Sequence, residues 1–364
     1  MTINDAMWLL PLTLLATAAL CLALIPLAHR SGLVDHPGVR KVHESVTPLT
    51  GGPALLLVLV TSAACCLPGD RFMLALLVAG LLMFLVGLID DFRELTTAPR
   101  FLVQALACVV VMVWADVRLE DFGRLLWDDV LELGVLSAPL TVFAALGVIN
   151  AFNLIDGMDG LAGSIFLVAA AGLALFAGLA GETQILSLLL LAMAAVAGFL
   201  LLNARWPWNP RARIFLGDSG SMLLGFLLAW CFIALGNDRA YQAERAFMPM
   251  TAVWLFAVPL LDTTTQMWRR WRMGRSPISA DQHHLHHAFL RAGYTTGETW
   301  TNITLLALAL GGVGVLLEVS GAPDYLSFWL FLLFAFAYKV YLQRTWTQQR
   351  FLGRHFIYNE FEDP

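Results

Sequence analysis

Charge is what this sequence has least of. Asp, Glu, Lys and Arg make up 13% of its 364 residues while 59% are apolar, and the mean hydropathy is +0.73. So little charge cannot cover a soluble domain, and it marks a chain whose solvent is largely lipid. Cysteine is sparse as well. Cys21, Cys65, Cys66, Cys108 and Cys231 are odd in number, lie in or beside apolar segments and form no CxxC pair. That argues for packing rather than disulfides or cysteine-bound zinc. No HExxH occurs, so an intramembrane zinc protease has no support. A clear internal repeat is also missing, which weighs against a secondary transporter. The net charge of −5 excludes little, because its distribution matters more than its sum.

What is present is a series of about eleven stretches long and apolar enough to span a bilayer. They lie near 7–28, 50–67, 72–89, 100–115, 134–151, 160–180, 183–202, 214–236, 247–267, 300–318 and 325–343. The expected fold is all-α: a polytopic membrane helical bundle forming one domain over 1–364, with a tail from 344. The first stretch has no basic leader, carries Asp5 ahead of it and is followed by His29 and Arg30. It reads as a retained anchor with its N-terminus outside. Arg30, Arg40, Lys41, Arg93, Arg100, Arg205, Arg211, Arg213 and the run Arg269 to Arg275 fall in one set of alternate loops. The other set holds only Arg71, Arg118, Arg124, Arg239 and Arg245. The positive-inside rule makes the first side, with the C-terminus, cytoplasmic. The acidic segment 116–133 then faces outside.

Four polar motifs interrupt this apolar background, all on the side that Lys and Arg alone assign to the cytoplasm. Asp90-Asp91 ends the third stretch; adjacent carboxylates raise one another's pKa and can share a cation or act as a base. The segment Asn150-Ala-Phe-Asn-Leu-Ile-Asp156-Gly-Met-Asp159-Gly-Leu161 follows the fifth. Its Asn153, Asp156 and Asp159 are spaced i, i+3, i+6, and hard oxygens of this kind suit Mg²⁺ beside a phosphate. Phe215-Leu-Gly-Asp218-Ser-Gly-Ser221 opens the eighth, where glycines let backbone N–H groups converge on an anion next to a carboxylate. After the ninth, Arg269-Arg270 leads to His283-His284-Leu285-His286-His287. Each has a plainer reading: a charged helix stop, an Asx-turn loop, a helix N-cap, a positive-inside anchor. Solvated loops scatter over both faces, whereas these share one, which favours a composite site. Asp262 lies within the ninth stretch, expected to be paired inside the bundle with an Arg of the following turn, and no step is assigned to it. Asp35, His36, Arg40, Lys41 and His43 form a polar first loop ending in Thr50-Gly51-Gly52-Pro53.

At these residues the chain resembles the polyprenyl-phosphate N-acetylhexosamine-1-phosphate transferases, from about residue 29 to about 345, with the motifs in that family's order. The His284-Leu-His-His287 form resembles the WecA-like branch, which moves GlcNAc-1-phosphate from UDP-GlcNAc to undecaprenyl phosphate; the peptidoglycan branch typically has a contiguous His triplet. The resemblance implies a helical bundle with a cytoplasmic cleft in a bacterial inner membrane. It implies Mg²⁺, with Mn²⁺ as a substitute, on Asp218 and Asn153. Phe215 and Asp159 match positions that stack on and hydrogen-bond uracil. Asp90 and Asp91 match the pair that deprotonates or positions the lipid phosphate, with Arg100 beside it. Asp156 belongs to the catalytic motif, and Arg270, His284, His286 and His287 match the loop that contacts the sugar phosphate. His283 is an extra histidine outside this set. The partners implied are UDP-GlcNAc, undecaprenyl phosphate and the bilayer, with a homodimer left open and no nucleic acid. The product is the lipid-linked first sugar of an envelope glycan such as O-antigen. A transporter and a zinc enzyme built on the histidines are the competing classes.

Overall fold

The computed structural model describes residues 3–36, 46–66, 69–127, 129–237, 245–277 and 282–357. Arg40, Lys41, His43, Asp128 and Arg239 lie outside them, as do the side chains of Cys65 and Cys66. The architecture is all-helical: α1 (Ile3–Ser31), α2 (Gly51–Cys66), α3 (Arg71–Arg93), α4 (Thr97–Ala115), α5 (Ser137–Ile155), α6 (Leu161–Leu179) and α7 (Thr183–Asn203) come first. Then follow α8 (Gly217–Leu235), α9 (Pro249–Leu255), α10 (Ala257–Arg272), α11 (Leu285–Arg291), α12 (Thr296–Val319) and α13 (Asp324–Gln348).

Among the described residues nine helices are long and apolar enough to cross a membrane. The stretches near 50–67 and 247–267 are the two that fall short. Helix α2 has 16 residues, about 24 Å against the roughly 30 Å of a hydrocarbon core. The other is split at Phe256 into α9 and α10. Pro259 has no N–H to give the carbonyl four residues back, so the helix breaks at Leu255–Phe256.

Helix α8 is the hub, with 94% of its spanning window buried against 17% for α1 and for α13. Its apolar residues cover every face, as a helix enclosed by protein requires. It packs on α2, α3, α5 and α6. Gly87 of α3 permits one of the close approaches: a Cβ there would lie 2.5 Å from Ser219 Cα. Small residues at such crossings let backbones meet. Cys21, Cys108 and Cys231 are free and buried in the core, as packing residues are.

The end of the bundle where α3 and α5 finish and α4 and α8 begin is built by local pairing. Strand β1 (Val34–Asp35) pairs with β2 (Thr47–Pro48). Pro48 C=O accepts the Phe215 N–H at 2.9 Å, and Gly51 N–H donates to Phe215 C=O at 3.0 Å. The first loop is thereby laid along the segment that leads into α8. At the far end of α4, about 28 Å away for a helix of 19 residues, the acidic segment is pinned by side chains. Arg245 grips Asp121 through two bonds of 3.0 and 2.9 Å, and Asp324 accepts the Arg124 N–H at 2.9 Å.

Residues expected as a tail are folded as far as Ile357. Helix α13 runs to Gln348, and β3 (Arg350–Phe351) then pairs with β4 (Arg354–His355). This hairpin lies on α11: the Phe351 ring is 4.7 Å from that of Phe289, and Ile357 N–H donates to Arg291 C=O at 2.8 Å.

Candidate active site

The four motifs, separated by as many as 190 or so residues of chain, meet at one end of the bundle. Asp91, at the end of α3, reaches the start of α8 and accepts from Asp218 N–H (2.6 Å), Ser219 N–H (3.1 Å) and the Ser219 hydroxyl (2.7 Å). A carboxylate on the free N–H groups of a helix start meets both their hydrogen-bonding need and the positive end of the helix dipole. Gly217 is left-handed at φ +75°, and a Cβ there would sit 2.7 Å from Asp91 Oδ2, so glycine is required twice over. Asp90, 4% exposed, lies beside the Asp218 carboxylate and also holds the start of α4. It accepts the Leu95 N–H at 2.6 Å and pairs with Arg100 at 2.8 Å. The two adjacent carboxylates therefore hold different elements rather than forming one naked pair.

Asn153, in the last turn of α5, donates through Nδ2 to Asp218 Oδ1 at 2.5 Å and to Ser221 Oγ at 2.8 Å. One turn back on the same face, Asn150 donates to Gln104 Oε1 of α4 at 2.8 Å, so an amide layer underlies the acidic one. Asp156 ends the helix, and its carboxylate makes no hydrogen bond among the described residues. Protein packed round it, then the negative charges of Asp218, Asp91 and Asp159, push its pKa well above the usual carboxylate range. Asp159 is tied to the following loop, pairing with Arg205 Nε at 2.8 Å and accepting the Ala212 N–H at 3.3 Å. Gly160, at φ +80°, closes the turn with its N–H on Asn203 Oδ1. Phe215 is half-buried two residues before Gly217 and packs with Leu88 against Leu33 and Leu49.

The histidine segment reaches the same place. A Cβ on Gly157 would lie 2.9 Å from His286 Nε2, so the ring stands directly against the acidic turn. The rings of His286 and His287 are 4.1 Å apart, and that of His284 is parallel to His286 at 5.9 Å. Burial, followed by the charges of neighbouring histidines, lowers His286 well below its ordinary value; burial, His284 and Arg291 lower His287 to about 3. Burial thus holds both toward the neutral form, and Arg100, Arg205 and Arg270 bring permanent positive charge to the site. Arg270, 3% exposed, donates to Pro277 C=O at 2.8 Å and so braces the loop before the histidines.

His283 lies apart from this set. Its ring meets Arg269 Nη2 at 2.8 Å and packs on Trp346, and its carbonyl accepts from Gln266. Asp262 does not pair with an Arg of the next turn; it meets His284 Nδ1 at 2.8 Å and the Leu285 N–H at 2.9 Å. Arg205 and Asn203 join the site from outside the motifs, and Ser219 and Ser221 from within one in which only Phe215 and Asp218 had been given a role. Arg205 was visible only as a cationic residue beyond a span, which is how positive-inside anchors also look.

Among the described residues no three His, Cys, Asp or Glu side chains stand together in a way that would hold a metal by themselves. A closed zinc site needs four such ligands. Mg²⁺ asks for less, usually one or two protein oxygens with water and phosphate completing its shell. The Asp218 carboxylate and the Asn153 amide, which meet through Oδ1 and Nδ2, stand with the unpartnered carboxylate of Asp156 as a donor set of that kind.

The pattern of glycosyl transferase family 4 matches residues 73–236, which include the Asp pair, the 150–161 segment and Asp218. Three proteins named undecaprenyl-phosphate α-N-acetylglucosaminyl 1-phosphate transferase are similar over nearly the whole length. That of Salmonella typhi is 36% identical over 334 residues, covering 90% of this chain and 88% of its own. That of Escherichia coli K12 is 34% identical over the same shares, and that of Haemophilus influenzae is 29% identical over 90% and 92%. Similarity of this depth places the chain in glycosyl transferase family 4 as a membrane-embedded transferase.

Proposed function

We propose that this enzyme transfers GlcNAc-1-phosphate from UDP-GlcNAc to undecaprenyl phosphate, releasing UMP. The observation that carries the reading is the meeting of Asp90-Asp91, Asn153 to Asp159, Asp218 and the histidine helix at one end of the bundle, in a chain whose relatives bear that name. In the reaction an oxygen of the lipid phosphate bonds to the β-phosphorus while the bond from that phosphorus to the bridging oxygen breaks, and UMP leaves with the electron pair. Two anions must approach one another. Mg²⁺, held by Asp218 and Asn153, would neutralise the diphosphate and the leaving UMP.

The residues divide the remaining work. Arg100, oriented by Asp90, receives the lipid phosphate where α4 begins, next to the apolar surface that meets the prenyl chain. Asp91 keeps the start of α8 in place, so Asp218 stays where the metal is wanted. Asp156 is the carboxylate with capacity to spare, as a further oxygen ligand or as acceptor of the lipid phosphate's last proton. Phe215 and Asp159 serve the uracil, Asp159 through a turn that Arg205 holds rigid. His284, His286, His287 and Arg270 face the sugar phosphate. The HxHH form favours GlcNAc as the sugar. The site faces the cytoplasm of a bacterial inner membrane, and the product starts a lipid-linked envelope glycan such as O-antigen.

Purified full-length protein with UDP-GlcNAc, undecaprenyl phosphate and MgCl₂ is expected to release UMP, and EDTA to stop it. UMP release only with a different UDP-N-acetylhexosamine corrects the sugar. No release with any of them overturns the reaction.

A further inference from the structure

Asp262 has no part in the chemistry above, yet it is an acidic residue only 2% exposed. It sits on α10 just beyond the break at Phe256, and it spends both carboxylate oxygens on the start of the histidine helix. Oδ1 accepts the Leu285 N–H at 2.9 Å and Oδ2 meets His284 Nδ1 at 2.8 Å. Helix α11 has no cap from its own N-cap side chain, so Asp262 supplies one from another helix. A cap needs one oxygen; the second is on the ring. An ionised carboxylate can only accept, so beside one Nδ1 carries the proton and Nε2 is left to face other groups.

The other two histidines have no such support. His286 and His287 each bury an Nδ1 without a hydrogen-bond partner among the described residues. The ring of His284 lies parallel to that of His286, with planes 7° apart, and His286 touches Gly157 of the acidic turn. His284 is thus one ring away from the acidic cluster and is the member of the trio whose orientation is set by a carboxylate. An imidazole without such a partner exchanges tautomers and turns about its χ angles; one held this way is preorganised.

We propose that Asp262 is a positioning residue for the transfer: it holds His284 in the Nδ1–H tautomer and in one orientation, so that Nε2 is presented to the sugar diphosphate of the donor. The proposal rests on the reaction assigned above.

Asp262→Asn tests it, because the amide oxygen can still cap Leu285 while the amide N–H reverses the demand on His284 Nδ1. The kcat for UMP release is expected to fall about ten- to a hundredfold, the range for outer carboxylates that fix a working histidine. The KM for UDP-GlcNAc should move far less, and the melting temperature little. The double variant Asp262→Asn/His284→Gln should be no slower than His284→Gln alone, since a residue acting only through the ring adds nothing once the ring is gone. Full kcat in Asp262→Asn, or losses that multiply in the double variant, would overturn the proposal. Should Asp262→Asn not fold, ¹⁵N-histidine NMR of the wild-type chain, assigned with His284→Gln, gives the same decision: a protonated Nδ1 supports it and an unprotonated Nδ1 refutes it. If the wild type releases no UMP with any UDP-N-acetylhexosamine, the assigned reaction fails and the positioning role with it, while the NMR still reads the Asp262–His284 bond.

Discussion

Asp90, Asp91 and Asp218 each accept a hydrogen bond from a neighbour, whereas Asp156 has three carboxylates near it and no donor among the described residues. Its pKa is raised in the folded protein. The folded state therefore keeps a proton that the unfolded state gives up near the ordinary carboxyl value, and stability falls as pH climbs from there through the folded value. Removing the charge should relieve this. Asp156→Asn is expected to melt above the wild type at pH 8 in EDTA, with the difference shrinking toward pH 4, and MgCl₂ should raise the wild type more than the variant. A variant that melts below the wild type at pH 8 in EDTA would show that the repulsion is not there. Gly157, next to it, is argued from space rather than charge. A methyl there meets His286 Nε2 at 2.9 Å and Cε1 at 3.0 Å, and that ring is 2% exposed with little room to retreat. Gly157→Ala should slow UMP release by roughly ten- to a hundredfold, the cost of shifting a working group by about an ångström; unchanged release would mean the ring yields freely. At this scale the sequence was readable where polar residues stood at the edge of apolar runs. Asp156 and Asp218 announced themselves in that way. Asp262 and Arg205 did not, because each looks like an ordinary buried or anchoring charge until its partner, 22 or 46 positions away, is known.

Whole elements position the site through contacts that periodicity does not record. The apolar stretch at 247–267 contains nothing that marks a break except Pro259, yet beyond the break α10 carries Asp262 to the start of α11 and Arg270 to the loop before it. The hairpin after α13 is a second case. Its strands are two residues long, too short for any alternation to show, and the basic residues around it suggest a solvated tail. In the fold, Phe351 is 3% exposed between Phe289 and Tyr341, and Phe356 packs on Trp346, whose ring also meets His283 and Arg291. The hairpin therefore braces the histidine helix from behind. Phe351→Ala removes a buried ring, a loss of about 3–5 kcal/mol for such truncations, and the loss should be local. Hydrogen exchange is expected to quicken across 285–291 and to stay unchanged across 217–235, with UMP release reduced. Equal quickening in both regions would place the hairpin in the general stability of the bundle rather than behind the histidines.

Over the whole molecule, the acidic and histidine motifs gather at one end and the acidic segment 116–133 at the other, an arrangement that the distribution of Lys and Arg had already suggested. It was legible because bilayer topology constrains every loop to one of two faces, so a few charges order the entire chain. The hub position of α8 was not legible in the same way: its stretch looked interrupted by Gly and polar residues, which are the residues that face Gly52, Gly87 and Asp91 at the site. The proposed orientation has a direct consequence for two exposed positions. Val135 is 95% exposed beyond the acidic segment, and Trp208 is 68% exposed in the loop that Arg205 ties to Asp159. With Cys65 and Cys66 changed to Ser, the remaining thiols are Cys21, Cys108 and Cys231, all buried and slow to label. On that background, Val135→Cys should react with a membrane-impermeant maleimide in intact cells, and Trp208→Cys only after the inner membrane is opened. The reverse pattern would put the acidic cluster outside the cell, where no cytoplasmic nucleotide sugar could reach it, and the proposed donor would fall together with the orientation.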